Sequence, residues 1–280
     1  MCDGRSQIDG WPGEQANRLV ERRWPDGSLF LAIDHHPDAG YRIHAPGYGE
    51  HVVSSDGGDW VGTVSPAPVW QWQKLLAAQV LPTIATLQGL EPLHASAVAI
   101  DGRVYGLIAP SGIGKSSTAT HLIARGAHFF TDDVLALEQT PAGLFAHPGL
   151  QLANVHRHEL DVMSASARAR LGRLLGVSDK CHLAPSGVGD RLPLGGLVFL
   201  ARGGHGSQVR IQPSEGDPAL LLGSAFSPHV ISGSRLRRQL AVCAAVASDV
   251  PLWTMTCGPE ASAGTVAEVL WRRLLAVASA

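Results

Sequence analysis

The 280-residue chain has no apolar run of transmembrane length and does not open on a basic-then-apolar segment, so neither a membrane span nor an export signal is expected. Its cysteines, Cys2, Cys181, Cys243 and Cys257, form no C-x-x-C pair; they read as reduced thiols of a cytoplasmic protein. Charged residues are few, 16% of the chain with a formal net charge of −2. There is no basic footprint for nucleic acid and no bias toward a membrane surface. Motifs for a nucleophile elbow (G-x-S-x-G), a zinc hydrolase (H-E-x-x-H) and a dinucleotide fold (G-x-G-x-x-G) are missing. Internal repeats and low-complexity tracts are missing too. His35, His36, His44 and His51 are scattered without metal-ligand spacing, as are His156 and His158. Hydrophobic residues, at 45%, leave ample material for a core.

What is present is concentrated at 109–116, Ala-Pro-Ser-Gly-Ile-Gly-Lys-Ser. This follows the phosphate-loop pattern: a small residue, four of any kind, then Gly-Lys-Ser/Thr. Gly112 and Gly114 free the backbone to turn successive N–H groups toward one anion. Lys115 would reach the β- and γ-phosphates, and the Ser116 hydroxyl would ligate Mg²⁺. The flanks agree: Arg103–Ile108 reads as a buried strand, and 116–125 as a helix with Gly126 as its C-cap. A glycine turn that holds no ligand is the plain alternative.

Beyond the helix, His128–Thr131 reads as a strand ending in Asp132-Asp133, completing a compact βαβ unit with the aspartates at the same sheet edge as the loop. Neighbouring side chains on a strand face opposite ways, so both carboxylates can serve the nucleotide only if the strand ends there. One would belong to the Mg²⁺ shell and the other would accept a hydroxyl proton; a solvated Asp-Asp turn is the alternative. Upstream, Asp101-Gly102 between two β-prone runs predicts a two-residue hairpin. Its register pairs Ile100 with Arg103 and brings His94 opposite Ala109, at the mouth of the loop. There His94 either supports the chemistry or bonds to loop backbone.

Elsewhere, 1–68 reads as a small, mostly β N-terminal region and 69–280 as the catalytic domain. Residues 69–87 carry apolar positions at helical spacing, with Pro82 expected to interrupt or kink the helix. The segment 164–192 allows a mobile lid with Lys180 and Arg191 as cations. It also allows a short helix at 165–175 followed by a loop. Residues 195–200 and 250–256 read as strands, and 235–248 and 265–277 as helices.

Leu93-His94, the hairpin, Ser111-Gly112-Ile113-Gly114-Lys115-Ser116, the helix ending at Gly126 and Asp132-Asp133 together resemble the catalytic core of the HPr kinase/phosphorylase family. The spacings match as well, 21 residues from His94 to Lys115 and 17 from Lys115 to Asp132. More closely, the chain resembles the HPr-kinase-like proteins of lasso-peptide and other peptide-tailoring gene clusters, through Leu81-Pro82 and Leu93-His94-Ala95-Ser96-Ala97-Val98. The resemblance implies an α/β fold, a P-loop kinase core of the HPr kinase / phosphoenolpyruvate carboxykinase-like type. It implies ATP and Mg²⁺ as cofactors, and transfer of the γ-phosphate to an acceptor serine of a peptide or protein, here a ribosomally made lasso-type precursor. Ser111, Gly112, Ile113, Gly114, Lys115, Ser116 and Ser117 would bind the nucleotide. Asp132, Asp133 and Lys115 would act in catalysis with His94 in support, and Ser116 and Asp133 would hold the metal. A homo-oligomer is in keeping with the family. Ala109 stands where the family has Gly, and the C-terminal loop that serves HPr recognition and phosphorolysis is not recognisable, so HPr is not the expected substrate. Two other readings stay open: a small-molecule kinase of the shikimate or adenylylsulfate type, and a nucleotide-binding regulator without phosphotransfer.

Overall fold

The computed structural model describes residues 8–63, 65–215 and 218–278, which divide into two compact units. The first runs to Leu90 and includes Ser227–Arg235; the second holds Glu91–Phe226 and the chain from Leu236 onward. The division thus falls after Leu90 rather than at the expected 68/69 boundary. The reason lies in the helical stretch 69–88, which bonds within the first unit. Gln88 Nε2 donates to the Gly57 carbonyl at 3.0 Å, and Thr83 Oγ1 meets His229 Nε2 at 2.9 Å.

The first unit is built on a five-stranded antiparallel sheet in sequential order: β1 (Asn17–Arg23), β2 (Leu29–His36), β3 (Gly40–Ala45), β4 (Gly49–Val53) and β5 (Trp60–Gly62). Leu31, Ile33, Tyr41, Ile43 and Val53 are buried. The edge strand β1 is polar and charged on both faces, so it carries no period-two signal. The stretch 69–87 is α-helical at Val69–Leu75 and Leu81–Leu87, with a π-helical turn at Leu76–Val80 between them. Pro82 sits in the first turn of the second helix, where its missing N–H is tolerated. The widened turn just before it is the form the interruption takes.

The second unit holds β6 (Glu91–Ile100), β7 (Arg103–Ile108), β8 (His128–Thr131), β9 (Val134–Thr140) and β10 (Gly143–His147). A small three-stranded sheet of β11 (Ala153–Val155), β12 (Arg173–Val177) and β13 (Cys181–Ala184) follows, in the order β11-β13-β12. β14 (Leu192–Arg202), β15 (Val209–Pro213) and β16 (Leu252–Cys257) complete the large sheet, whose order is β10-β9-β6-β7-β14-β16-β15, with β8 also on β6. β7, β14 and β16 are parallel neighbours, whereas β6 is antiparallel to both β7 and β8. The expected βαβ unit therefore has β6 inserted between its two parallel strands. Their C-terminal ends still share one edge, and the antiparallel β6 carries His94 toward that same edge.

Alternation splits the strands between two cores. Val98, Tyr105, Leu107 and Val198 pack with the helices Lys115–Arg125 and Ala263–Ala278. Ala97, Ala99, Val104, Leu197 and Phe199 pack with the helix Gly233–Asp249. A sheet buried on both faces explains why its strands read as continuous apolar runs. No helix among the described residues is long and apolar enough to cross a membrane. The segment expected as one helix at 165–175 is helical only at Ala165–Arg170, and Arg173 already begins β12. Gly172, at φ +80°, terminates the helix there.

Candidate functional site

The hairpin that feeds the loop has the expected register, with Ile100 opposite Arg103 and Ala95 opposite Ile108. Asp101 and Gly102 both adopt positive φ, 48° and 72°. Past β7 the chain turns at Gly112 (φ +82°) and Gly114 (φ +114°) into the helix Lys115–Arg125. A Cβ on Gly114 would meet nothing nearer than Arg202 Nη2 at 3.8 Å, so the glycine is required by the backbone angle and not by space. The first-turn N–H groups of that 11-residue helix have no intrahelical acceptor and face the loop, an arrangement that favours an anion.

Lys115 is 6% exposed. Its Nζ donates to the Ala109 carbonyl at 2.6 Å and to His94 Nε2 at 3.1 Å. Nε2 must accept, because an ammonium only donates. The other ring nitrogen, Nδ1, then carries the hydrogen and donates to the Asp133 carbonyl at 3.0 Å. His94 is therefore held as the neutral Nδ1–H tautomer. Burial, then the charge of Lys115, push its pKa below the usual histidine value, with the Asp133 carbonyl and Asp132 opposing. Burial likewise lowers the Lys115 pKa, against the pull of Asp133 and Asp132. The lysine is thus a buried cation whose two hydrogen-bond acceptors, the Ala109 carbonyl and His94, are both neutral.

The two aspartates part company. β8 and β9 both run antiparallel to β6 and are successive parts of one strand direction, interrupted at Asp132-Asp133. The strand does not end there, as the sequence suggested; it kinks. Asp133 has φ +70°, and its carbonyl accepts from the Ala95 N–H at 3.2 Å as well as from His94. The kink turns the neighbouring carboxylates to different surroundings. Asp132, 9% exposed, accepts from Ser96 Oγ (2.7 Å) and Ser116 Oγ (2.8 Å) on one oxygen, and from the Asn154 backbone N–H (3.0 Å) and Nδ2 (3.3 Å) on the other. Asp133 lines the cavity in front of the loop.

That cavity, about 590 Å³, gathers His94, residues 111–118, Asp133, Lys180 and Arg202, together with His156, His158 and Glu159. All seven sequence-predicted loop residues, 111–117, therefore border it with His94 and Asp133; Asp132 stands behind Ser116. Arg191 is elsewhere, paired with Glu138 at 2.5 Å and lying over the Phe145 ring. Of the two carboxylates, it is Asp132 that Ser116 Oγ is bonded to. Ser96, Asn154 and Arg202 were not found from sequence. Ser96 lies at an ordinary core position of β6, and Asn154 and Arg202 reach the site only through strand order. Arg202 Nη1 donates to the Gly258 and Ala261 carbonyls at 3.1 and 3.2 Å, tying the loop after β16 beside Gly114.

As to similar proteins, no protein-family model matches the chain, and no curated protein does. Among solved structures, the HPr(Ser) kinase/phosphatase from Coxiella burnetii is similar at 12% identity and a TM-score of 0.32, covering 66% of this chain and 93% of that one.

Proposed function

We propose that this chain is an ATP-dependent phosphotransferase that moves the γ-phosphate of Mg-ATP to the hydroxyl of a serine in a peptide or protein. The observation that carries the reading is Lys115, buried in a glycine loop with neutral acceptors and faced by free helix N–H groups. An ammonium so placed calls for an anion that can move in beside it. The cavity also holds what transfer needs opposite the phosphates, a carboxylate at Asp133.

Hard oxygen donors suit Mg²⁺: Ser116 Oγ gives its hydrogen to Asp132 and keeps its lone pairs for a cation, with a carboxylate on either side of the kink. Mg²⁺ bound there with the nucleotide would neutralise charge on the β- and γ-phosphates. Lys115 leaves the Ala109 carbonyl to bind phosphate oxygens, and the loop amides hold the transferring group. Asp133 accepts the proton of the acceptor hydroxyl as its oxygen bonds to phosphorus; the bond to the bridging oxygen breaks and ADP departs. Asp132, with both oxygens engaged, orients Ser116 and belongs to the metal shell. This division of labour gives the base to the carboxylate that lines the cavity and the metal side to the buried one. His94 holds the Asp133 carbonyl and receives Lys115, a positioning role. The acceptor we favour is a ribosomally made precursor peptide of the lasso type, on the resemblance of 75–140 to that subgroup.

The test is incubation with γ-labelled Mg-ATP in extract of the native host, beside an Asp133→Asn control, with products resolved by size. Label on a peptide or protein that is absent from the control is the expected result. Label on a small metabolite alone would make the chain a small-molecule kinase, and no transfer to any acceptor would sink the enzyme reading.

A further inference from the structure

Behind the phosphate loop, a line of buried polar groups leads away from Asp132 and ends at the turn between β12 and β13. Asn154 Nδ2 donates to the Asp132 carboxylate at 3.3 Å. Because a carboxylate only accepts, the amide presents its oxygen to the other side, where His182 Nδ1 lies at 2.8 Å and must carry the hydrogen. Asn154 and His182 are direct cross-strand partners on β11 and β13. His182 is 0% exposed, and its Nε2 meets Ser178 Oγ at 2.9 Å. The Ser178 N–H in turn donates to the Lys180 carbonyl at 2.8 Å, closing the turn. The turn's lysine lines the cavity with Lys115 and Asp133.

We propose that Lys180 is the cation that meets the terminal phosphate of the bound nucleotide, and that Asn154 and His182 are positioning residues that fix its turn to the carboxylate holding Ser116. Three observations carry it. Lys180 Nζ has no hydrogen-bond or ion-pair partner among the described residues, whereas of the cavity's other cations Lys115 bonds to Ala109 and His94, and Arg202 commits Nη1 to two carbonyls. The turn is the tip of a short hairpin, which apolar packing could hold without a fully buried imidazole; a buried polar chain is costly unless fully satisfied, and it sets geometry when it is. The chain also starts at the very carboxylate that fixes Ser116, so the loop and the lysine share one reference point. Sequence spacing alone could not connect Asp132, Asn154, His182 and Lys180.

The proposal rests on the phosphate-loop reading above, and binding measurements separate the two. Full-length protein with Mg²⁺ is titrated with ADP and with the non-hydrolysable ATP analogue AMP-PNP. Lys180→Ala should weaken AMP-PNP by about tenfold or more and ADP by less than about threefold, as loss of one charge-assisted contact to the terminal phosphate requires. His182→Gln should follow in the same direction. Should it fail to fold, Ser178→Ala at the exposed turn serves, with an expected loss of about three- to fivefold for AMP-PNP only. In a Lys180→Ala background the Ser178→Ala change should add nothing, since it acts through the lysine. A purely structural role would move ADP and AMP-PNP together and would persist in the double variant; either result overturns the relay. Lys180→Ala indistinguishable from wild type overturns it as well. Wild-type protein that binds neither nucleotide would overturn the phosphate-loop reading itself, and this proposal with it.

Discussion

Two short stretches meet at one edge of the large sheet and are shaped by opposite means. The loop 109–116 owes its course to glycine: Gly112 and Gly114 take left-handed angles that ask nothing of their surroundings. The kink at Asp132-Asp133 owes its course to its neighbours. Asp133 holds φ +70° with a side chain attached, and the Ala95 N–H and His94 Nδ1 grip its carbonyl. A loop built on glycine can be read from composition. A kink imposed by an adjacent strand cannot, because the residues that impose it lie 38 and 39 positions away, as Ala95 and His94 do from Asp133. Residues of the loop line the cavity, and the kink separates two adjacent carboxylates so that one is buried behind Ser116 and the other lines that cavity too.

The sharpest way to break the comparison is to remove the charge the loop conceals. Lys115→Ala should abolish phosphoryl transfer, read as label incorporated from γ-labelled ATP, because both phosphate binding and charge neutralisation depend on it. Asp133→Asn should lower kcat by about 10²–10⁴-fold with nucleotide affinity nearly unchanged. Retention of wild-type rates would return the base to Asp132. Asp133→Gly should lose as much activity yet stay within about 1 kcal/mol of wild type in denaturant unfolding, since glycine accepts the kink's angle. The reverse substitution in the loop, Gly114→Ala, should cost about 1–2 kcal/mol by the same assay, because alanine pays for the left-handed angle.

The smallest effect concerns pH. Burial and Lys115 lower the pKa of His94 in the folded protein, so between the ordinary value of about 6.5 and that lowered value the unfolded chain binds more protons. Stability contributed by this histidine is therefore present above about pH 6.5 and lost as the pH falls below it. Comparing wild type with His94→Asn in unfolding titrations from pH 7.5 downward should show a shallower acid loss in the variant.

Much of this was legible in the chain. The glycine loop 109–116, its strand and helix, the Asp101-Gly102 hairpin and hence the approach of His94 all follow from local rules, namely glycine conformation, turn chemistry and period-two register. The charged edge strand β1 and the hairpin of β12 and β13 were not legible. The first has no apolar face, and the second follows a helix whose stop at Gly172 is overridden, in a reading by pattern, by the apolar residues on either side of it. The unit boundary escaped for a related reason: the 69–87 stripe shows an apolar face but not which strands will cover it.

The sequence by itself determined which chemical groups are available and the backbone shape of the loop that holds them, because those depend on residues a few positions apart. Tertiary structure alone decided which aspartate is buried and which reaches the cavity. It also brought Asn154, His182 and Lys180 into one line with Ser116, because strand order and a kink forced from β6 are contacts across long stretches of chain, on which local spacing has no hold.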